Sequence, residues 1–168
     1  MKFFLLGFMG TGKTYWGRLW SEQQQMRFFD LDTEIEKNTG LTIPQIFEQH
    51  GEDFFRQKER ERLHSFEQDD HLILSTGGGA PCFYDNMQWM NENGLTIYLD
   101  SPVEVLKERL VKEKEHRPLI KQFDEEGLDN YIKNKLQERN KFYSQARIIL
   151  PTESISDTTF NEIKNKYV

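Results

Sequence analysis

Cysteine is nearly missing from this chain of 168 residues. Cys82 stands alone, which excludes an internal disulfide framework and a Cys-rich metal centre, and fits a reducing, cytoplasmic setting. Nothing near it in sequence supplies the activating surroundings a catalytic thiol needs, so it reads as a loop thiol beyond the third strand. Long apolar runs are missing too: no window approaches the ~20 residues that would span a bilayer. Met1-Lys2-Phe3-Phe4-Leu5-Leu6 opens like a leader peptide, but its apolar run stops short of the ~7–15 residues such a segment needs, and it reads as a buried strand. Positive charge is in deficit, with 22 Lys and Arg against 28 Asp and Glu and a net charge of −6. That balance argues against nucleic-acid and membrane partners, both polyanions that call for a basic field. An anionic ligand must therefore meet cations placed locally. The four histidines, His50, His64, His71 and His116, fall at no metal-ligand spacing. Without internal repeats or low-complexity linkers, the chain is expected to fold as one domain around one core.

Short apolar runs recur between long charged segments: Phe3 to Leu6, Phe28-Phe29, Leu72 to Leu74, Leu95 to Leu99 and Ile148 to Leu150. Each has the length of a strand buried on both faces, and the segments between them read as helices. Strict βα alternation predicts an α/β fold with a parallel five-stranded sheet flanked by helices. In Ser101-Pro102-Val103-Glu104, Ser101 is expected to cap a helix running to about Leu110, with Pro102 in its first turn and Glu104 completing a capping box. The charged stretch from Lys112 to Pro118 lacks apolar periodicity and reads as a mobile flap. No exposed apolar stripe demands a partner, so a monomer is expected.

The most specific string is Gly7-Phe8-Met9-Gly10-Thr11-Gly12-Lys13-Thr14. It satisfies G-x-x-x-x-G-K-[ST], follows the first predicted strand and opens a helix. In such a loop the backbone N–H groups turn inward on phosphates, the helix N-terminus adds its positive end, the lysine reaches the β and γ oxygens and the hydroxyl can ligate Mg²⁺. Gly10, Thr11, Gly12, Lys13, Thr14 and the following Tyr15 are therefore candidate ATP-binding residues. An Asn-Lys-x-Asp string that would read guanine is missing, and the chain is too short for a separate effector domain; both point to a metabolite kinase.

The acceptor side has several candidates. Asp30 and Asp32 close the second predicted strand; two apart, they share a face and can point at the carboxyl edge of the sheet, where α/β ligands bind. The alternative for Asp32 is a plain helix cap. Arg56 lies among aromatics in Gly51-Glu52-Asp53-Phe54-Phe55-Arg56. Gly77, Gly78 and Gly79 end the third strand and would let a ligand approach the backbone closely, although a turn also uses one or two glycines. Arg139 falls on one helical face with Leu128, Ile132, Leu136 and Phe142, and either snorkels outward or faces a site. Asp100 ends an apolar strand and reads as a helix-start residue rather than a metal ligand. Tyr131, Phe142 and Tyr143 read as packing.

Taken in order and spacing, the phosphate loop, Phe29-Asp30-Leu31-Asp32 with Ile35-Glu36, Gly51 to Arg56, Gly77-Gly78-Gly79-Ala80, Arg117-Pro118-Leu119 and Arg139 resemble the shikimate kinase family over nearly the whole chain. The P-loop is shared by many families; the combination is not. The resemblance implies a P-loop NTPase fold of the nucleoside-monophosphate-kinase type, substrate-binding helices at about 32–68 and a lid at about 112–124. It implies transfer of a phosphoryl group from ATP to the 3-hydroxyl of shikimate, on the route to chorismate and the aromatic amino acids. Arg56 and Arg139 then resemble the pair that holds the substrate carboxylate, Asp32 the group bonded to its hydroxyls, and Gly77 to Gly79 the wall beside the ring. Asp30 resembles the carboxylate that holds Mg²⁺ through water beside Thr14, Arg117 the lid arginine over the phosphates, and Arg109 the arginine packed on adenine. Lys13, Asp32 and Arg117 would form the catalytic set. Tyr15-Trp16 depart from the small hydroxyl residues common after Thr14. The rival readings are a gluconate-type kinase, which should lack the joint set of Asp32, Arg56, the triple glycine and Arg139, and a binding protein that has lost turnover.

Overall fold

The computed structural model describes residues 1–114 and 119–168. Its strands are β1 (Lys2–Leu6), β2 (Arg27–Asp30), β3 (Leu72–Ser75), β4 (Leu95–Asp100) and β5 (Ile148–Pro151). Every predicted apolar run is a strand, extended by a residue or two. The sheet is parallel throughout, in the order β2-β3-β1-β4-β5. Central position matches composition: all of β1 and β3 and all but the last residue of β4 are buried, as double-sided cover requires.

The helices are α1 (Lys13–Gln24), α2 (Leu31–Thr39), α3 (Ile43–His64), α4 (Asn86–Asn93), α5 (Val103–Glu113), α6 (Glu125–Tyr143) and α7 (Thr159–Tyr167). Among the described residues two helices lie between β2 and β3 and two between β4 and β5, where strict alternation predicted one each. The signal between α2 and α3 is chemical: Gly40 in the left-handed region (φ 72°) ends α2, and Thr42 and Gln45 form a reciprocal capping box at the start of α3. Gly51 (φ 81°, ψ 175°) then breaks α3 internally, a backbone conformation that glycine alone adopts cheaply. The start of α5 differs from expectation. Pro102 is the capping residue and no side chain caps it. Ser101 is drawn away to a hydrogen bond with Thr152, Oγ to Oγ1 at 2.7 Å, so the expected capping box does not form. The helix also runs past Leu110 to Glu113.

The apolar interior divides with the sheet. One face packs Phe4, Leu6, Leu72 and Leu74 against α2, α3 and α4; the other packs Phe3, Leu5, Ile73 and Ile97 against Trp20 and Phe160. Phe8, Leu106, Leu110, Ile120, Leu128 and Ile132 form a third cluster that ties the loop after β1 to α5 and α6. The order of strands reverses at β1, so the crevice beyond its carboxyl end is the place where an open parallel sheet receives a ligand. Among the described residues no helix is long and apolar enough to cross a membrane.

Candidate active site

The loop from Gly7 to Gly12 leaves β1 at that crevice. Gly7, Gly10 and Gly12 take φ values of 144°, 84° and 92°, which is why those positions carry no side chain. A Cβ on Gly7 would lie 2.8 Å from the Leu99 carbonyl oxygen. The loop is held from inside by Thr11, whose hydroxyl donates to Phe8 O at 2.9 Å, and from outside by Arg109 of α5, which donates to Gly10 O at 2.8 Å. Lys13 Nζ lies across it and donates to Gly7 O (2.8 Å) and Phe8 O (3.0 Å).

A cleft of about 550 Å³ opens along this loop, lined by Gly10, Gly12, Lys13, Thr14, Tyr15, Asp30, Asp32 and Arg109 among others. At its floor the Thr14 hydroxyl donates to Asp30 Oδ2 at 2.9 Å. Asp30 also caps α2, its Oδ1 accepting from Thr33 N at 3.3 Å. The cap is therefore Asp30; Asp32 lies in the first turn of α2 and is presented to the cleft by the helix, not by strand alternation.

A second cavity of about 200 Å³ lies beyond Asp32, lined by Met9, Arg56, Glu59, Gly77, Gly78, Gly79, Arg139 and an apolar wall of Ile43, Phe47, Phe55 and Leu119. Arg56 donates to Glu59 Oε2 at 2.8 Å and, at longer range, to Glu52 Oε1. Its guanidinium stacks over Phe83, 4.0 Å from the ring centroid. Arg139 reaches in from α6, over the ring of Phe8. The two cavities share a wall made of Met9, Asp32, Gly77 and Gly78.

Electrostatics at that wall are unusual. Among the described residues, Asp32 Oδ1 and Glu59 Oε1 are buried without a hydrogen-bond partner. Burial, with the Asp30 charge behind it, pushes Asp32 up to about 6 against the pull of Lys13 and Arg56. Burial likewise pushes Glu59 up to about 7 despite its ion pair with Arg56, and the Asp32 charge adds to the rise. Carboxylates so displaced in a cleft mark a functional centre.

A sequence model of the shikimate kinase family matches residues 9–167. The chain belongs to the shikimate kinase family. It is 40% identical over 156 residues to a shikimate kinase of Phocaeicola vulgatus, covering 93% of this chain and 89% of the relative. The crystal structure of the Bacteroides thetaiotaomicron shikimate kinase superposes with a TM-score of 0.93 at 35% identity, covering 98% of each chain. The Acinetobacter baumannii shikimate kinase, solved in complex with shikimate, gives 0.86 at 32% identity and covers 99% of this chain and 95% of that one.

Of the candidates named from sequence, Gly10, Gly12, Lys13, Thr14, Tyr15, Asp30 and Arg109 line the larger cleft, Arg56, Gly79 and Arg139 the smaller cavity, and Asp32, Gly77 and Gly78 both. Thr11 is buried behind the loop rather than lining the cleft. Arg117 and His116 lie outside the described residues, as does Pro118. Asp100 accepts from the Tyr98 phenol at 3.0 Å, lines neither cavity, and keeps a structural place. Cys82 is a half-buried thiol in the 3-10 turn after β3, raised above its ordinary value by burial.

Sequence reasoning missed Glu59, Trp16 and Glu113, and the apolar wall of the smaller cavity. Glu59 was within reach of pattern alone. It stands four residues from both Phe55 and Leu63 on a buried stripe, and three from Arg56, so an acid was due to face inward beside a cation. Phe142 was placed on the apolar face of α6, but Tyr143 is the residue fully buried there.

Proposed function

We propose that this chain transfers the γ-phosphoryl group of ATP to the 3-hydroxyl of shikimate, giving shikimate 3-phosphate and ADP. The observation that carries the reading is the shared wall: a phosphate-loop cleft and a small cavity with two arginines meet across Asp32, which places donor and acceptor sites side by side. Family membership supports the choice of acceptor, since relatives at about the same identity carry the shikimate kinase name and one was solved with shikimate.

The larger cleft takes ATP, with Gly10 to Thr14 on the phosphates, Tyr15 at the mouth and Arg109 beside the base. The smaller cavity takes the acceptor. Planar guanidiniums at Arg56 and Arg139 match a carboxylate and hold a small acid in one orientation. Gly77 to Gly79 let the ring lie against backbone, and the apolar wall receives its ring carbons.

A hydroxyl and a carboxylate, Thr14 and Asp30, are hard oxygen donors that fit Mg²⁺, an ion usually bound by one or two protein oxygens, phosphates and water. When bound there it would neutralise charge on the phosphate oxygens. Asp32 aligns the acceptor hydroxyl and can take its proton; Lys13 offers a cation to the phosphoryl oxygens, so that catalysis rests on positioning and charge. The role given to Arg117 rests on the motif Arg117-Pro118-Leu119, with the segment 112–124 acting as a lid that closes over both ligands.

The test is ADP release in a coupled assay with ATP and Mg²⁺, run with shikimate, with gluconate and with no acceptor. Shikimate-dependent release is expected; release with gluconate alone would discard the reading, and ATP binding without release would favour a protein that has lost turnover.

A further inference from the structure

The triple glycine poses a problem of control. Three consecutive glycines give a loop more backbone freedom than any other sequence of that length, yet its amides must keep fixed directions to be useful to a ligand. The three carbonyls show how the loop is held. Gly77 O accepts from Ala80 N at 3.1 Å and Gly79 O from Cys82 N at 2.9 Å, both bonds made locally by the 3-10 turn that follows. Gly78 O, between them, accepts instead from the Tyr143 phenol at 2.5 Å, across 65 residues of sequence.

A trans peptide is planar, with its C=O and N–H directed oppositely. The Gly78 carbonyl and the Gly79 N–H belong to one such plane, so the Tyr143 bond sets the direction of the Gly79 N–H. Among the described residues, the amides of Gly77, Gly78 and Gly79 donate to no protein acceptor. Gly79 lines the smaller cavity next to the Arg56 guanidinium, and Gly78 borders Arg139 Nη1.

Tyr143 is itself immobilised. It is fully buried at the end of α6, and its ring stacks on that of Tyr98 with centroids 4.8 Å apart and planes at 27°. Arg139 precedes it by one helical turn, so a single helix end carries both a cation of the cavity and the pin of its glycine wall.

We propose that Tyr143 is a positioning residue for the acceptor: through its hydrogen bond to Gly78 O it aims the Gly79 N–H into the acceptor cavity. The proposal rests on the assignment of that cavity to shikimate. Burial raises the phenol above its ordinary value, so it stays a donor throughout the working pH range.

Tyr143→Phe removes the hydroxyl and keeps the ring in its stack. The expected result is a rise in KM for shikimate of about tenfold with KM for ATP within twofold of the parent, while Tyr98→Phe, which removes the other phenol of the stack, leaves both constants in place. An unchanged shikimate KM in Tyr143→Phe, or an equal rise in Tyr98→Phe, overturns the proposal in favour of packing. NMR order parameters of the Gly77 to Gly79 amides supply a readout independent of the acceptor: they should fall from the rigid range near ~0.85 to below ~0.6 in Tyr143→Phe, and unchanged values overturn the pin whatever the substrate. A parent protein that releases ADP with no acceptor dependence on shikimate would instead remove the functional reading, leaving the order parameters to decide the pin.

Discussion

Asp32 Oδ1 and Glu59 Oε1 converge on the same point: a Cβ built on Gly77 would lie 3.0 Å from the first and 3.1 Å from the second. Both oxygens are buried, and among the described residues neither has a hydrogen-bond partner. Two carboxylates therefore face one gap beside a glycine that leaves the gap open. Two unpartnered acceptor oxygens suit the hydroxyl-bearing acceptor proposed for this cavity, and they cost the folded state something whenever both acids are ionised.

That cost predicts how stability follows pH. Asp32 stands at about 6 against an ordinary 3.8, and Glu59 at about 7 against 4.5. Both are raised, so the folded state holds more protons than the unfolded state between roughly pH 4 and 7. The stability these groups contribute is present below their unfolded values and is lost as pH rises through 6 to 7. Asp32→Asn removes one charge at constant shape, so thermal unfolding should show it raising Tm at pH 8 and raising it distinctly less at pH 5, part-way through that window. An equal shift at both pH values would mean that charge is not the cause.

Activity should depend on pH in the opposite sense. In the role proposed for it, Asp32 would accept from the acceptor hydroxyl as the carboxylate, the form that fills as pH rises past about 6. A profile of kcat/KM for shikimate should fall on the acid side with a midpoint near that value. A profile flat down to pH 5 would take Asp32 out of proton transfer and leave it an orienting group.

Much of this site was legible because its parts are made of local chemistry. The P-loop needs glycines at fixed offsets, a lysine and a hydroxyl between a strand and a helix, and all are contiguous from Gly7 to Thr14. The five strands were legible because a doubly covered parallel strand is simply an apolar run. What stayed hidden is what depends on three-dimensional competition. Ser101 had the right spacing for a cap, yet Thr152, distant in sequence, takes its hydroxyl. Asp32 was read on strand periodicity, but β2 ends at Asp30 and helix geometry presents Asp32 instead.

Gly79→Ala tests the fit of the Arg56 guanidinium. A Cβ there would lie 2.7 Å from Nη2 and 2.9 Å from Nη1, nearer than real Cβ atoms come. The arginine can withdraw only by giving up its bond to Glu59 and its stack on Phe83. Shikimate KM should rise between tenfold and a hundredfold, about 1.4–2.7 kcal/mol, while ATP binding to the other cleft is preserved. A parallel loss of ATP affinity would mean that the two sites are less separate than their shared wall implies.

Arg139→Ala asks the same question of the second cation. Its removal would leave the acceptor carboxylate with Arg56 alone in the smaller cavity, and truncating one partner of a buried charge pair costs about 2–5 kcal/mol. Isothermal titration should show that loss on shikimate and a far smaller one on ATP. Equal losses on both ligands would move Arg139 out of the acceptor site.

Helix α1 must lie close against the sheet for Lys13 and Thr14 to emerge at its end in register with β1. Gly17 permits this: a Cβ there would lie 2.4 Å from Phe28 Cε2 and 3.1 Å from Leu5 Cδ1. Alanine has the better helix propensity, worth about 1 kcal/mol, so an isolated helix would gain from the change. Within the fold, overpacking of about 1–3 kcal/mol opposes that gain, and because Leu5 belongs to a fully buried central strand the strain has little room to relax. Gly17→Ala should therefore lower Tm by several degrees and weaken ATP binding with it, through the tilt of α1 and not through any lost contact. A rise in Tm would mean that Phe28, on the edge strand, swings aside and that helix propensity outweighs the packing.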